Sequence, residues 1–157
     1  MTLLPGVFNG SATVDAAGLT VQAADNADVT VNASETAFTV AAPDATLDGF
    51  TIAPTSDTAI NGTSLDGDLT VTDVRIEDAG DYGIEVIGAG AENVTVTNTV
   101  VESAVTSGVR IDGSGDAILR NNTAESISSS SGFAVNDLHG SMRPTTLLAL
   151  PAPTAFS

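Results

Sequence analysis

Residues 69–93 read LTVTDVRIEDAGDYGIEVIGAGAEN, and residues 94–116 read VTVTNTVVESAVTSGVRIDGSGD. Laid over each other, the two stretches keep their apolar places in step. In the first, Leu69 and Val71 alternate with polar residues, then Val74 and Ile76, then Ile84 and Val86. Alternation of period two over three to five residues, broken by Gly, Asn, Asp and Ser, predicts three short strands joined by turns. The same frame extends back to Ala45 (ATLDGFTIAPTSDTAINGTSLDGD) and on to Ala117 (AILRNNTAESISSSSGFAVNDL). The third positions of the four units are Leu47, Val71, Val96 and Leu119, spaced 24, 25 and 23 residues apart. No window sustains a 3.6-residue period, so helix is not expected.

A unit of about 24 residues made only of strands cannot bury its own apolar face. Stacking unit on unit puts Leu47 over Val71 over Val96 over Leu119 at the ~4.8 Å spacing of paired strands. Each winding then pairs in parallel with its neighbours, which is a β-solenoid. A leucine-rich repeat has a similar period but needs a Leu/Asn consensus and a helical return. A β-sandwich needs antiparallel hairpin turns and no fixed phase. A second marker, a small residue before an apolar-x-apolar triplet, sets the register of the third strand. It occurs at Gly18–Val21, Ala37–Val40, Ala59–Gly62, Gly83–Val86, Gly108–Ile111 and Gly132–Val135, spaced 19, 22, 24, 25 and 24. Six rungs are expected, the early ones shorter.

Charge narrows the function classes. The 157 residues carry 20 acids against 4 Arg and no Lys, a net charge of −16. Such a surface repels phosphate, so nucleic-acid binding is excluded. The absence of Cys and the single His remove disulfide scaffolds, thiolate sites and multi-histidine metal centres. With 42% apolar residues the chain is not a disordered acidic tail. Abundant Asp without Lys suits a protein living in concentrated salt, of haloarchaeal type; an acidic extracellular domain is the plainer alternative. No run reaches the ~18–20 apolar residues of a membrane span. The beginning, MTLLPGVFNGS, has neither a basic segment nor an apolar core, so no signal peptide is read there.

The stretch from Leu4 to Ile52 resembles the entry coils of right-handed parallel β-helix proteins. Pro5-Gly6, Val14-Asp15, Gly18-Leu19-Thr20-Val21 and Thr46-Leu47-Asp48-Gly49-Phe50-Thr51-Ile52 carry the likeness in order. That group includes the pectin lyase-like superfamily and the carbohydrate-binding and sugar-hydrolase domains of NosD-type proteins. The resemblance covers about residues 4–138 and speaks to fold more than to activity, since the fold hosts lyases, hydrolases, adhesins and scaffolds. It implies an all-β, single-stranded right-handed parallel β-helix of about six coils, each of 19–25 residues with three short strands. The family pattern has a further strand and cap before the Pro-Gly, so over residues 1–138 the N-terminal cap is expected to be truncated. Residues 139–157, HGSMRPTTLLALPAPTAFS, leave the repeat. They read either as a makeshift cap, with Leu147, Leu148 and Leu150 over the last coil, or as a disordered end.

Candidate sites follow from the register. Position five holds Gly49, Asp73, Asn98 and Asn121, residue types that accept left-handed backbone and bond their own turn. A structural ladder of Asp73, Asn98 and Asn121 is expected, matching the asparagine ladder that the resemblance implies. Position nine holds Ala53, Glu77, Glu102 and Glu125, with Arg75 projecting on the same outer side as Glu77. Pectate lyase-like enzymes hold Ca²⁺ on stacked carboxylates and use a nearby Arg or Lys as base, which makes Arg75, Glu77 and Glu102 the catalytic candidates. The file of Arg75 (Thr51, Val100, Thr123) offers no second base, Tyr82 is the one aromatic platform in view, and a solvated acidic face is the plain reading. Asp66, Asp68, Asp112 and Asp116 sit in turns with two oxygen donors each, short of the six to eight Ca²⁺ takes. Glu85 and Arg110 fall in one file on adjacent rungs and read as a surface ion pair. Asn9, Asn32, Asn61, Asn93 and Asn121 stand in Asn-x-Ser/Thr sequons, glycan acceptors in an exported protein.

The expected role is a non-catalytic module or fragment of a halophilic cell-surface or secreted protein, meeting carbohydrate or other surface components and needing no cofactor. The alternative is a degenerate or partial polysaccharide lyase or hydrolase resting on Arg75, Glu77 and Glu102.

Overall fold

The computed structural model describes residues 1–63, 65–88 and 90–139, and the backbone of two strands, 142–144 and 147–151. Strands form wherever the period-two pattern occurs. The first coil holds β1 (Thr2–Leu3), β2 (Gly6–Asn9) and β3 (Ala12–Val14). The second holds β4 (Thr20–Ala23), β5 (Val29–Asn32) and β6 (Phe38–Val40), and the third β7 (Ala45–Asp48), β8 (Thr51–Ile52) and β9 (Ile60–Asn61). Then come β10 (Gly67–Thr72), β11 (Arg75–Ile76) and β12 (Tyr82–Ile87), followed by β13 (Ala91–Thr97), β14 (Val100–Val101) and β15 (Ser107–Asp112). The sixth coil has β16 (Asp116–Arg120), β17 (Asn122–Ile127) and β18 (Phe133–Asn136). Beyond it lie β19 (Met142–Pro144) and β20 (Leu147–Pro151), whose backbones pair with β16 and β17.

Every first strand lies in one seven-stranded sheet, every second strand in another, and every third strand in a six-stranded sheet. Coil-to-coil strand pairing is parallel throughout. The chain is an all-β solenoid of about six turns with three strands per coil. No described residue lies in a helix. The core is made of vertical files. Val21, Leu47, Val71, Val96 and Leu119 pair rung on rung along the first sheet, none more than 2% exposed. Ile52, Ile76, Val101 and Ala124 do the same along the second sheet, and Ile60, Ile84 and Val109 along the third. Each file buries apolar surface only because the next coil covers it, so the coils stabilise one another.

Corners explain the turn residues. Between first and second strands the chain bends at Gly49, Asp73, Asn98 and Asn121, with φ of 79°, 52°, 50° and 52°. At the start of the third strands, Gly83 and Gly108, the second residues of β12 and β15, press against the second sheet. A Cβ on Gly83 would lie 2.5 Å from the Gly108 carbonyl oxygen and 2.8 Å from Val101 Cγ1. On Gly108 it would lie 2.7 Å from Ala124 Cβ. The small residue of the third-strand marker is thus demanded by space.

One rung of that marker is misplaced. Thr20–Ala23 is a first strand, pairing Thr20 with Thr46 and Val21 with Leu47. The third strand of coil 1 is Ala12–Val14, with Ala12 opposite Phe38. Both first and third strands here carry small-apolar-x-apolar signatures, and only the pairing partner separates them. The early coils are accordingly not all shorter: Ala12 and Phe38 are 26 residues apart, as are Thr20 and Thr46, whereas Thr2 and Gln22 are 20 apart. The long coil spends its extra residues on the corner between β4 and β5, closed by Ala27 N–H donating to the Ala24 carbonyl, with Asn26 at φ 55°. The side chains of Leu147, Leu148 and Leu150, expected over the last coil in one reading of the tail, lie outside the described residues.

Candidate functional site

Polar side chains converge at three places on the outside of the coil. On the second sheet, Arg75 lies in register with Thr51 on one side and Val100, then Thr123, on the other. Ile76 pairs with Val101, which brings Glu77 and Glu102 onto adjacent rungs, about 5 Å apart in a parallel sheet. Arg75 reaches diagonally across the rung and forms an ion pair with Glu102. The guanidinium is therefore engaged by a carboxylate of the next coil. Glu77 and Glu125 flank that pair in the same file, half-buried.

The densest network is on the third sheet. The file Thr39, Asn61, Glu85, Arg110, Ala134 runs along its outer face. Arg110 Nη1 donates to Glu85 Oε1 and to the Tyr82 hydroxyl, and Nη2 donates to Asp112 Oδ2, each at 3.2 Å. Its guanidinium carbon is 5.5 Å from the Tyr82 ring centroid, within cation–π range. Glu85 is only 9% exposed, whereas Tyr82, Arg110 and Asp112 are half-buried, so the expected surface pair is part of a four-member network with one buried carboxylate. Burial raises the Glu85 carboxyl above the ordinary carboxylate range; Arg110 opposes the rise, and Asp81 and Asp57 add to it. Tyr82 belongs here and not beside Arg75. Nothing in the one-dimensional pattern places its ring over Arg110, which lies 28 residues further along.

The third place is the set of corners. Asn121 Nδ2 donates to Asn98 Oδ1 at 3.3 Å, and Asp73 accepts from its neighbour Thr72. Sequence reasoning passed over Asn122. It is 1% exposed, its Oδ1 accepts from Thr99 N–H at 2.9 Å, and its Nδ2 donates to the Val96 carbonyl at 2.7 Å. It holds the inward corner position that Val74 fills with an aliphatic side chain, and its place after Asn121 was the available signal.

The calcium candidates are distributed. Asp68 Oδ1 accepts from both the backbone and the side-chain amide of Asn93, and Asp112 is held by Arg110. Asp66 is exposed, and Asp116 pairs in register with Asn93. Among the described residues no three metal-type side chains converge. Of the sequon asparagines, Asn9, Asn32, Asn93 and Asn121 are exposed and Asn61 is half-buried. Asn32 donates to Asn9 at 3.1 Å, and Asn61 Oδ1 accepts from the Thr63 N–H and hydroxyl at 2.9 and 2.8 Å. His139, outside the polar networks, donates its backbone N–H to the Ser114 carbonyl.

Three parallel sheets wound from one chain, with polar ladders on the outside, define a β-solenoid. Residues 12–124 and, overlapping, 58–143 match the family model for the right-handed beta helix region, and the chain belongs to that family. No curated protein and no solved structure matches it.

Proposed function

We propose that this chain is a non-catalytic β-helix module of a cell-surface or secreted protein from a salt-rich setting, presenting a stiff polar surface to hydroxyl-rich polysaccharide. One observation carries the reading: Arg75 and Arg110, the cations on the outer faces of the second and third sheets, are each engaged by a carboxylate of a neighbouring coil. A base that must take a proton from a substrate is poorly served by a guanidinium already paired. The hydroxyl file Thr20, Thr46, Thr70 and Thr95 on the first sheet adds a regular row of donors and acceptors. A net charge of −16 disfavours acidic polymers, so neutral polysaccharide is the better partner. Exposed sequons are consistent with an exported parent whose glycans sit on Asn9, Asn32, Asn61, Asn93 or Asn121.

Co-sedimentation with insoluble neutral and acidic polysaccharides in high salt tests this. Retention on neutral polymer with unchanged chain length is expected. Turnover of an acidic polysaccharide with Ca²⁺ to unsaturated product, abolished in Arg75→Ala, would instead establish the lyase reading through Arg75, Glu77 and Glu102.

A further inference from the structure

No further inference is drawn: the strongest candidate, the side-chain cluster of Tyr82, Glu85, Arg110 and Asp112 on the outer face of the third sheet, belongs to the site already described.

Discussion

Asn122 shows how one residue can hold a corner of this fold. Position 121 takes φ of 52°, so the chain turns and the next side chain points inward, where Val74 and Thr99 stand in the coils before it. A buried amide is tolerated only because both its ends are bonded, to Thr99 N–H and the Val96 carbonyl. In Asn122→Ala those two backbone groups lose their partner, and thermal or denaturant unfolding should show a loss of about 1–3 kcal/mol. A loss near zero would mean that water replaces the amide. Glu85 and Asp48 act in the opposite sense. Burial raises both carboxyls, with Arg110 opposing at Glu85 and Asp73 adding at Asp48. A raised folded pKa gives a contribution fully present below the unfolded values, 4.5 and 3.8, and lost as pH rises through the folded ones. The melting temperature should therefore increase as pH is lowered from neutrality through the folded values, the gain being complete below 4.5 for Glu85 and 3.8 for Asp48. The slope should flatten in Glu85→Gln, whose amide oxygen still accepts from Arg110; an unchanged slope there would rule Glu85 out as its source.

At the scale of the strand and its corner, space governs. The second residue of the third strand is a glycine in coils 4 and 5 because the second sheet lies directly behind it. Gly83 and Gly108 do not have positive φ, so a side chain there is opposed by neighbours and not by its own backbone. In Gly83→Ala the new methyl would meet the Gly108 carbonyl oxygen at 2.5 Å, and a ladder-bonded backbone yields little. The expected cost is about 1–3 kcal/mol, the range for overpacked cores, read from a denaturant midpoint. A midpoint equal to that of the parent chain would show that the corner has slack. The same place holds Tyr82, the first residue of β12, which lays its ring against Arg110.

At the scale of the whole molecule, charge and stacking compete. Each coil adds acids to files that repeat at about 5 Å. At 0.1 M salt the screening length is about 10 Å and spans two coils, so like charges repel along the file; near 1 M it is about 3 Å, shorter than one rise. Stability is therefore expected to climb with NaCl or KCl up to about molar concentration, with a steeper rise than a near-neutral solenoid would show. A melting temperature independent of salt would mean that local pairs such as Arg75–Glu102 already offset the repulsion.

The repeat itself was legible because burial in a solenoid is periodic. Leu47, Val71, Val96 and Leu119 must each cover the next, so their spacing in the chain records their stacking in space. The turn residues were legible for a similar reason, since a left-handed corner restricts residue type. Pairing partners were less so. Gly18–Val21 carries the same local signature as a third strand, and only the pairing of Thr20 with Thr46 and Val21 with Leu47 assigns it to the first sheet. The Glu85–Arg110 pair followed from the register; the joining of Tyr82 and Asp112 to it, and the inward turn of Asn122, were decided by tertiary structure alone. Those contacts depend on which way a side chain leaves a corner, and that direction is set by the coil behind it. Local order along the chain dictates period and turn; cross-coil geometry dictates which polar groups meet.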